Sequence, residues 1–301
     1  MSAGVQELLV FPDFLGIGAQ KAGTTWLHAA LSSHDEFWLP HLKELHYFDH
    51  KFPIRTEGEK SSSPNQGITA KQMSAKRRRF LADRLQVRGI RDVAWELRYL
   101  FGRWDDEWYA SLFEQAGGRI AGEITPAYLC LSEAAIAHVY ALMPDVRLVL
   151  LLRDPVQRAW SHAKMDLARH MRREWQAVPH ADFSAHFRAS ASRLRGDYVS
   201  SIERWLGRFP PSQLLIAFYD EIEEQPRILM QRVLDFLGAS VTDADKLASI
   251  STRFNTGELA AIPATLHREL AELYVEQTRV LAQRFGKYPQ RWLEASEAVL
   301  A

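Results

Sequence analysis

A single cysteine, Cys130, occurs among the 301 residues. One thiol can form neither an intrachain disulfide nor a multi-cysteine zinc site, which fits a reducing compartment. Its place in an apolar run suits buried packing better than nucleophilic chemistry. Excess charge is missing too: 37 Lys and Arg balance 37 Asp and Glu. The broad electropositive field that non-specific nucleic-acid binding needs is therefore not expected, although a local basic pocket remains open. No segment reaches ~18 uninterrupted apolar residues, and residues 1–13 hold neither a basic leader nor an apolar stretch of signal length. These absences lead us to expect a cytoplasmic chain with no membrane span and no nucleic-acid partner.

What is present suffices for a large core, since 47% of the residues are hydrophobic. Short apolar runs alternate with longer segments of helical period, the pattern of an α/β three-layer parallel sheet with helices on both faces. Strands are expected at Phe14–Ile17, Arg119–Glu123, Val146–Leu152 and Leu214–Tyr219, all parallel and central or nearly so. Helical spacing appears in Ile136, Val139, Leu142 and Met143, and again in Tyr198, Ile202, Trp205, Leu206 and Phe209. A further helix starts near Pro226, and a last long one carries Leu266, Leu270, Leu273, Tyr274 and Leu281. We expect one domain over residues 1–301, with a mobile loop at about 55–70 and a C-terminal helical part from about 240.

The first strand runs into Gly18-Ala19-Gln20-Lys21-Ala22-Gly23-Thr24-Thr25. Its two glycines have Walker A spacing, so the turn can wrap backbone N–H groups around an anion at a helix N-terminus. The lysine, however, sits inside the turn at position 21, and Thr24 stands where a nucleotide triphosphatase keeps its lysine. A cation that low in the cradle suits a short anhydride such as a phosphosulfate better than a triphosphate. The strand at Val146–Leu152 likewise delivers Arg153 to a sheet rim, and the helix begun by Pro155 carries Ser161. An arginine fork and a hydroxyl can hold a terminal phosphate.

Between these two places lies Pro40-His41-Leu42-Lys43-Glu44-Leu45-His46-Tyr47-Phe48-Asp49. If the stretch is extended, Glu44 and His46 project to one side, and either can serve as a base.

The loop QKAGTTWL, the segment RxPxxRxxS from Arg153 to Ser161, and the KExHxFD-type stretch together resemble the PAPS-dependent sulfotransferases, in their carbohydrate/heparan-type and bacterial branch. The resemblance implies a P-loop nucleotide-kinase-like sulfotransferase fold, 3′-phosphoadenosine 5′-phosphosulfate (PAPS) as donor, the bisphosphate PAP as product, and no metal. It places the 5′-phosphosulfate on Lys21, Ala22, Gly23, Thr24 and Thr25, and the 3′-phosphate on Arg153 and Ser161. Trp26 either lines the nucleotide or belongs to the core. It also makes Glu44 the general base beside Lys43 and His46; in the aryl branch a histidine takes that role, so His46 is the second candidate. Gly122-Glu123-Ile124-Thr125-Pro126-Ala127-Tyr128 extends the likeness, with Ile124 where heparan-type members often carry a sulfate-contacting lysine.

Two other functions share some of these features: a P-loop kinase or nucleotide triphosphatase, and a non-catalytic binder of adenosine bisphosphate. The expected partner is a small-molecule or glycan acceptor, presenting a hydroxyl or an amine. Trp95, Tyr99, Phe101, Trp104 and Trp108 are candidates for an acceptor cleft or for core. The basic groups Lys76–Arg79, Arg169, Arg172 and Arg173 suit an acidic acceptor or a solvated face, and beyond residue 240 a basic loop around Arg253 and the final helix extend the resemblance.

Overall fold

A computed structural model describes residues 9–53, 90–171, 174–240 and 261–301. The expected loop at 55–70, the basic run 76–79, and Arg172, Arg173 and Arg253 lie outside the described residues. Five strands form one parallel sheet: β1 (Phe14–Gly18), β2 (Phe37–Trp38), β3 (Ile120–Ile124), β4 (Arg147–Leu152) and β5 (Leu214–Phe218). Their order is β2-β3-β1-β4-β5. The four expected strands are present within a residue or two at each end. Two residues carry too little pattern to announce β2. β5 stands at the edge rather than near the centre, and Leu214, Leu215 and Ile216 are accordingly only partly buried.

β1 and β4 are adjacent interior strands, with every residue of β1 and five of the six in β4 buried. Strands covered on both faces read as continuous apolar runs, which is why these two were conspicuous in the sequence. β1 is followed by α1 (Thr24–Ser32), whose Trp26, Leu27, Ala30 and Leu31 enter the main core. After β2 come a bent segment and the short α2 (Tyr47–Lys51), then α3 (Ile90–Phe101). β4 leads into α4 (Pro155–Met171), against which α5 (Ala264–Phe285) packs. The last helix, α6 (Lys287–Leu300), begins after Gly286 at φ +64° and adds Tyr288 and Trp292 to the core.

The aromatic cluster beside the Glu44 segment is mostly core: Trp95, Tyr99 and Trp108 are buried, whereas Phe101 is exposed. Trp95 stacks on Tyr99 and Trp104 on Trp108, with ring centroids 5.5 and 4.5 Å apart. His41 packs edge-on against Trp95 and pairs with Glu96 at 3.2 Å, so the cluster serves as the floor of residues 39–52. Cys130 is buried, and burial pushes its thiol pKa up, so it stays protonated and inert.

Candidate active site

The loop after β1 turns through Lys21 at φ +69° and Gly23 at φ +91°. A side chain at 23 would be strained in the backbone and would also meet Ile222 Cδ1 at 2.4 Å, so glycine is required there. The turn ends at Thr24, the first residue of α1, and the unpaired N–H groups of that helix start face the loop. Thr24 is buried and Thr25 exposed, while Trp26 lies in the core with its indole N–H unpartnered among the described residues.

Lys21 is half-buried, and its Nζ reaches Met165 Sδ of α4 at 3.6 Å. Burial lowers its pKa, and the charges of Arg153, Lys164, Arg169 and Lys43 lower it further. Of these cations, Arg153 and Lys43 reach the loop itself, at the Lys21 carbonyl and the Thr24 hydroxyl, in a chain whose formal charge is zero. Arg153 joins the two expected anchors directly: its Nη1 donates to the Lys21 carbonyl at 3.1 Å, and its guanidinium lies over the Tyr219 ring, 4.4 Å from the centroid. Asp154, beside it, caps α4 by accepting from the Val156 N–H, and burial pushes its carboxyl up to about 7. Ser161 is partly buried on the second turn of α4.

The Glu44 segment is not extended. Glu44 and His46 both adopt left-handed backbone, at φ +69° and +60°. Two such residues reverse the chain locally, so strand alternation does not apply; the side chains nevertheless meet, with His46 Nε2 3.4 Å from Glu44 Oε2. Side-chain pairing and the packed floor beneath compensate the backbone strain. His46 Nδ1 donates to Asp49 Oδ2 at 2.8 Å, and Lys43 Nζ donates to Glu44 Oε1 at 2.8 Å and to Thr24 Oγ1 at 3.4 Å. The result is a line of alternating charge, Lys43, Glu44, His46, Asp49, starting at the phosphate loop.

Charge alternation sets the protonation states. Burial alone would lower the His46 pKa, but hydrogen bonds to Asp49 and Glu44 and their charges raise it to about 9. Burial would raise Glu44, and the hydrogen bonds and charges of His46 and Lys43 instead hold it down at about 2. Near neutral pH the pair is imidazolium and carboxylate.

Asp49 belongs to the same stretch, and nothing in its spacing distinguishes it from a helix-start carboxylate. Only 2% exposed, it is the group that orients and charges His46. Glu123 of β3 is a second group without an expected role. Fully buried, it accepts from Tyr109, Thr125 and Tyr128 at 2.6, 2.8 and 3.0 Å, and burial raises its pKa. The Tyr128 hydroxyl also takes the Tyr47 N–H at 3.0 Å, tying β3 to the start of α2 beside His46. Ile124 is buried against Gly16, so the sheet end at that position presents no charge.

Among the described residues, His162, Asp166 and His186 bring ligand atoms within 4.8 Å of one another. Burial, with the Arg158 and Arg195 charges, pushes His162 down to about 2. The same guanidiniums repel any further cation there.

The model of the sulfotransferase family matches residues 12–243. The chain belongs to the sulfotransferase family. Heparan sulfate glucosamine 3-O-sulfotransferase 3B1 of Mus musculus is 32% identical over 148 residues, 46% of this chain and 36% of that protein. Bifunctional heparan sulfate N-deacetylase/N-sulfotransferase 3 of the same organism is 31% identical over 117 residues, 36% of this chain and 13% of that protein. The chain thus spans about a third of the first relative's length and less of the second's. Among solved structures, the sulfotransferase from Alicyclobacillus acidocaldarius superposes with a TM-score of 0.62 at 23% identity, covering 94% of this chain and 99% of that one. The sulfotransferase domain of the Synechococcus PCC 7002 olefin synthase gives 0.52 at 17% identity, covering 88% and 94%. Both share the fold, a parallel sheet wrapped by helices with a P-loop-like turn after its first strand.

Proposed function

We propose that this sulfotransferase moves the sulfuryl group of PAPS to a hydroxyl or amine on a glycan or small-molecule acceptor, with Glu44 as general base. The observation that carries the proposal is a glycine-turn anion cradle to which Arg153 is tied at 3.1 Å and Lys43 at 3.4 Å, Lys43 beginning the chain of groups that runs on to Glu44 and His46. Lys21 and the N–H groups of residues 23–25 would hold the 5′-phosphosulfate, the Ala22 N–H being taken by the Ala19 carbonyl at 3.2 Å. Arg153 and Ser161 would hold the 3′-phosphate, with Arg153 kept in place by the Lys21 carbonyl and the Tyr219 ring.

Transfer is an in-line displacement. The acceptor oxygen or nitrogen forms a bond to sulfur as the bond from sulfur to the phosphate oxygen breaks, and the acceptor proton passes to Glu44. Lys21, on the leaving side, neutralises the charge that grows on the bisphosphate. His46 at about 9 is already protonated near neutral pH and has no vacancy for a proton, which supports Glu44 over His46 as the base. A glycan acceptor is supported by the heparan sulfate enzymes among the relatives, and an amine acceptor by the N-sulfotransferase.

The test is a transfer screen with sulfur-labelled PAPS over glycans, phenols, tyrosine peptides and amines, run with EDTA and with magnesium. Label transfer in EDTA is expected. Turnover that stops in EDTA and returns with magnesium would favour the kinase-like function instead, and PAP binding without transfer to any acceptor would favour the binder. Calorimetry should show PAP binding far tighter than 5′-AMP, and Arg153→Ala should erase most of that difference.

A further inference from the structure

Glu44 poses a chemical problem that its own neighbours create. A carboxylate held at about 2 is a poor proton acceptor, because general-base efficiency falls as the base's pKa moves away from the working pH. Two cations hold it there, Lys43 and His46. His46 is fixed from behind by buried Asp49 at 2.8 Å and cannot leave without stranding that carboxylate. Lys43 is differently placed: its ammonium sits between Glu44 Oε1 at 2.8 Å and the hydroxyl of Thr24 at 3.4 Å, and Thr24 is the loop residue at the start of α1.

We propose that Lys43 is a further catalytic residue: donor binding draws its ammonium from Glu44 onto the 5′-phosphate oxygens of the phosphosulfate at Thr24, and Glu44 is thereby freed to take the acceptor proton. This rests on the sulfuryl-transfer function proposed above. An ammonium has three donors and a flexible stem, so it can re-aim without backbone movement. A phosphosulfate offers more negative charge and more acceptor oxygens than one carboxylate does. The other groups facing Glu44 do not compete for the part. His46 stays with Asp49, Lys21 lies across the loop against Met165, and His28 on α1 faces the Pro40 carbonyl at 3.3 Å with its pKa lowered by burial. In the free protein the base is masked; with the nucleotide in place it is armed, so the proton acceptor becomes competent only when the donor site is filled.

The thermodynamic signature is a competition between Glu44 and the nucleotide for one cation. Glu44→Gln should tighten PAP binding by about three- to ten-fold, because Lys43 no longer has to leave an ion pair. In a Lys43→Met background the same Glu44→Gln change should alter PAP affinity by less than about two-fold. Calorimetry with PAP on the wild type, both single variants and the double variant measures this. In parallel, the Glu44 carboxyl in carbon-13-labelled wild type should titrate higher with PAP bound than without, a measurement that needs no variant. Three results overturn the proposal: no tightening in Glu44→Gln, tightening of equal size in the Lys43→Met background (plain charge repulsion), or a Glu44 titration unmoved by PAP. If PAP binds none of the four proteins, the sulfotransferase nucleotide site itself has failed; if it binds all four with equal affinity, only the role of Lys43 has.

Discussion

The two sides of the proposed reaction centre are charged in opposite styles. On the donor side Lys21 and Arg153 form no ion pair among the described residues; Lys21 faces a thioether and Arg153 a carbonyl and a ring. On the acceptor side every charge is matched by its neighbour, from Lys43 through Glu44 and His46 to Asp49. A half-buried cation without a counter-ion is costly, and the donor side therefore stores unmet positive charge that an incoming anion satisfies. The acceptor side is neutral in sum and suits a neutral hydroxyl or amine. The comparison also explains where stability and function part: the acceptor side holds itself together, whereas the donor side gains most from its ligand.

The strongest way to break this contrast is to remove the donor-side cation deepest in the cradle. Lys21→Ala should lower transfer by about 10³-fold or more, as loss of a preorganised charge at a developing anion does, and should weaken PAPS binding as well. Steady-state kinetics with labelled PAPS checks it, and near wild-type turnover would remove the loop from the chemistry. Next in size is Glu44→Gln, which preserves shape and removes basicity. A fall of about 10²-fold or more in kcat is expected while nucleotide binding is retained. His46→Asn should cost less; if it were the dead variant and Glu44→Gln stayed active, the two roles would be exchanged.

Asp49→Asn sharpens the comparison by breaking the acceptor side's internal pairing. Without that carboxylate the His46 titration should move down from about 9 toward its ordinary 6.5, read by imidazole NMR, and Glu44 should titrate higher as its charged partner is lost. The pH dependence of stability has a definite sign. Because the folded pKa of His46 is raised, its pairing contributes fully below pH 6.5 and is lost as pH climbs through about 9. Glu44 is depressed, so its contribution is complete above pH 4.5 and lost only as pH falls through about 2. Thermal melts from pH 6 to 10 should show the alkaline loss in the wild type and a smaller one in His46→Asn. The smallest expected effect is on the fold. Gly23→Ala should destabilise the protein by about 1–3 kcal/mol, since the left-handed backbone and Ile222 both oppose a Cβ there, as chemical denaturation would measure.

The parallel sheet and the donor side were legible in the sequence because local chain geometry builds both. A buried strand must be an apolar run, and a phosphate turn must carry its glycines at fixed spacing before a helix, so order along the chain already implies position in space. Lys21, Gly23, Thr24 and Arg153 therefore stand where their spacing placed them. The acceptor side was visible only as composition. That Glu44 and His46 meet was foreseen for the wrong reason, since left-handed backbone rather than strand alternation brings them together. The charge state of His46 depends on Asp49, the seat of the segment depends on Tyr128 and Glu123 some 80 residues away, and the reach of Lys43 to Thr24 spans 19 residues. Sequence order fixes what a turn can hold, but the pKa of a side chain depends on which charges lie within a few ångströms of it. Here those neighbours come from a helix start, a sheet end and a loop, and only packing brings them together.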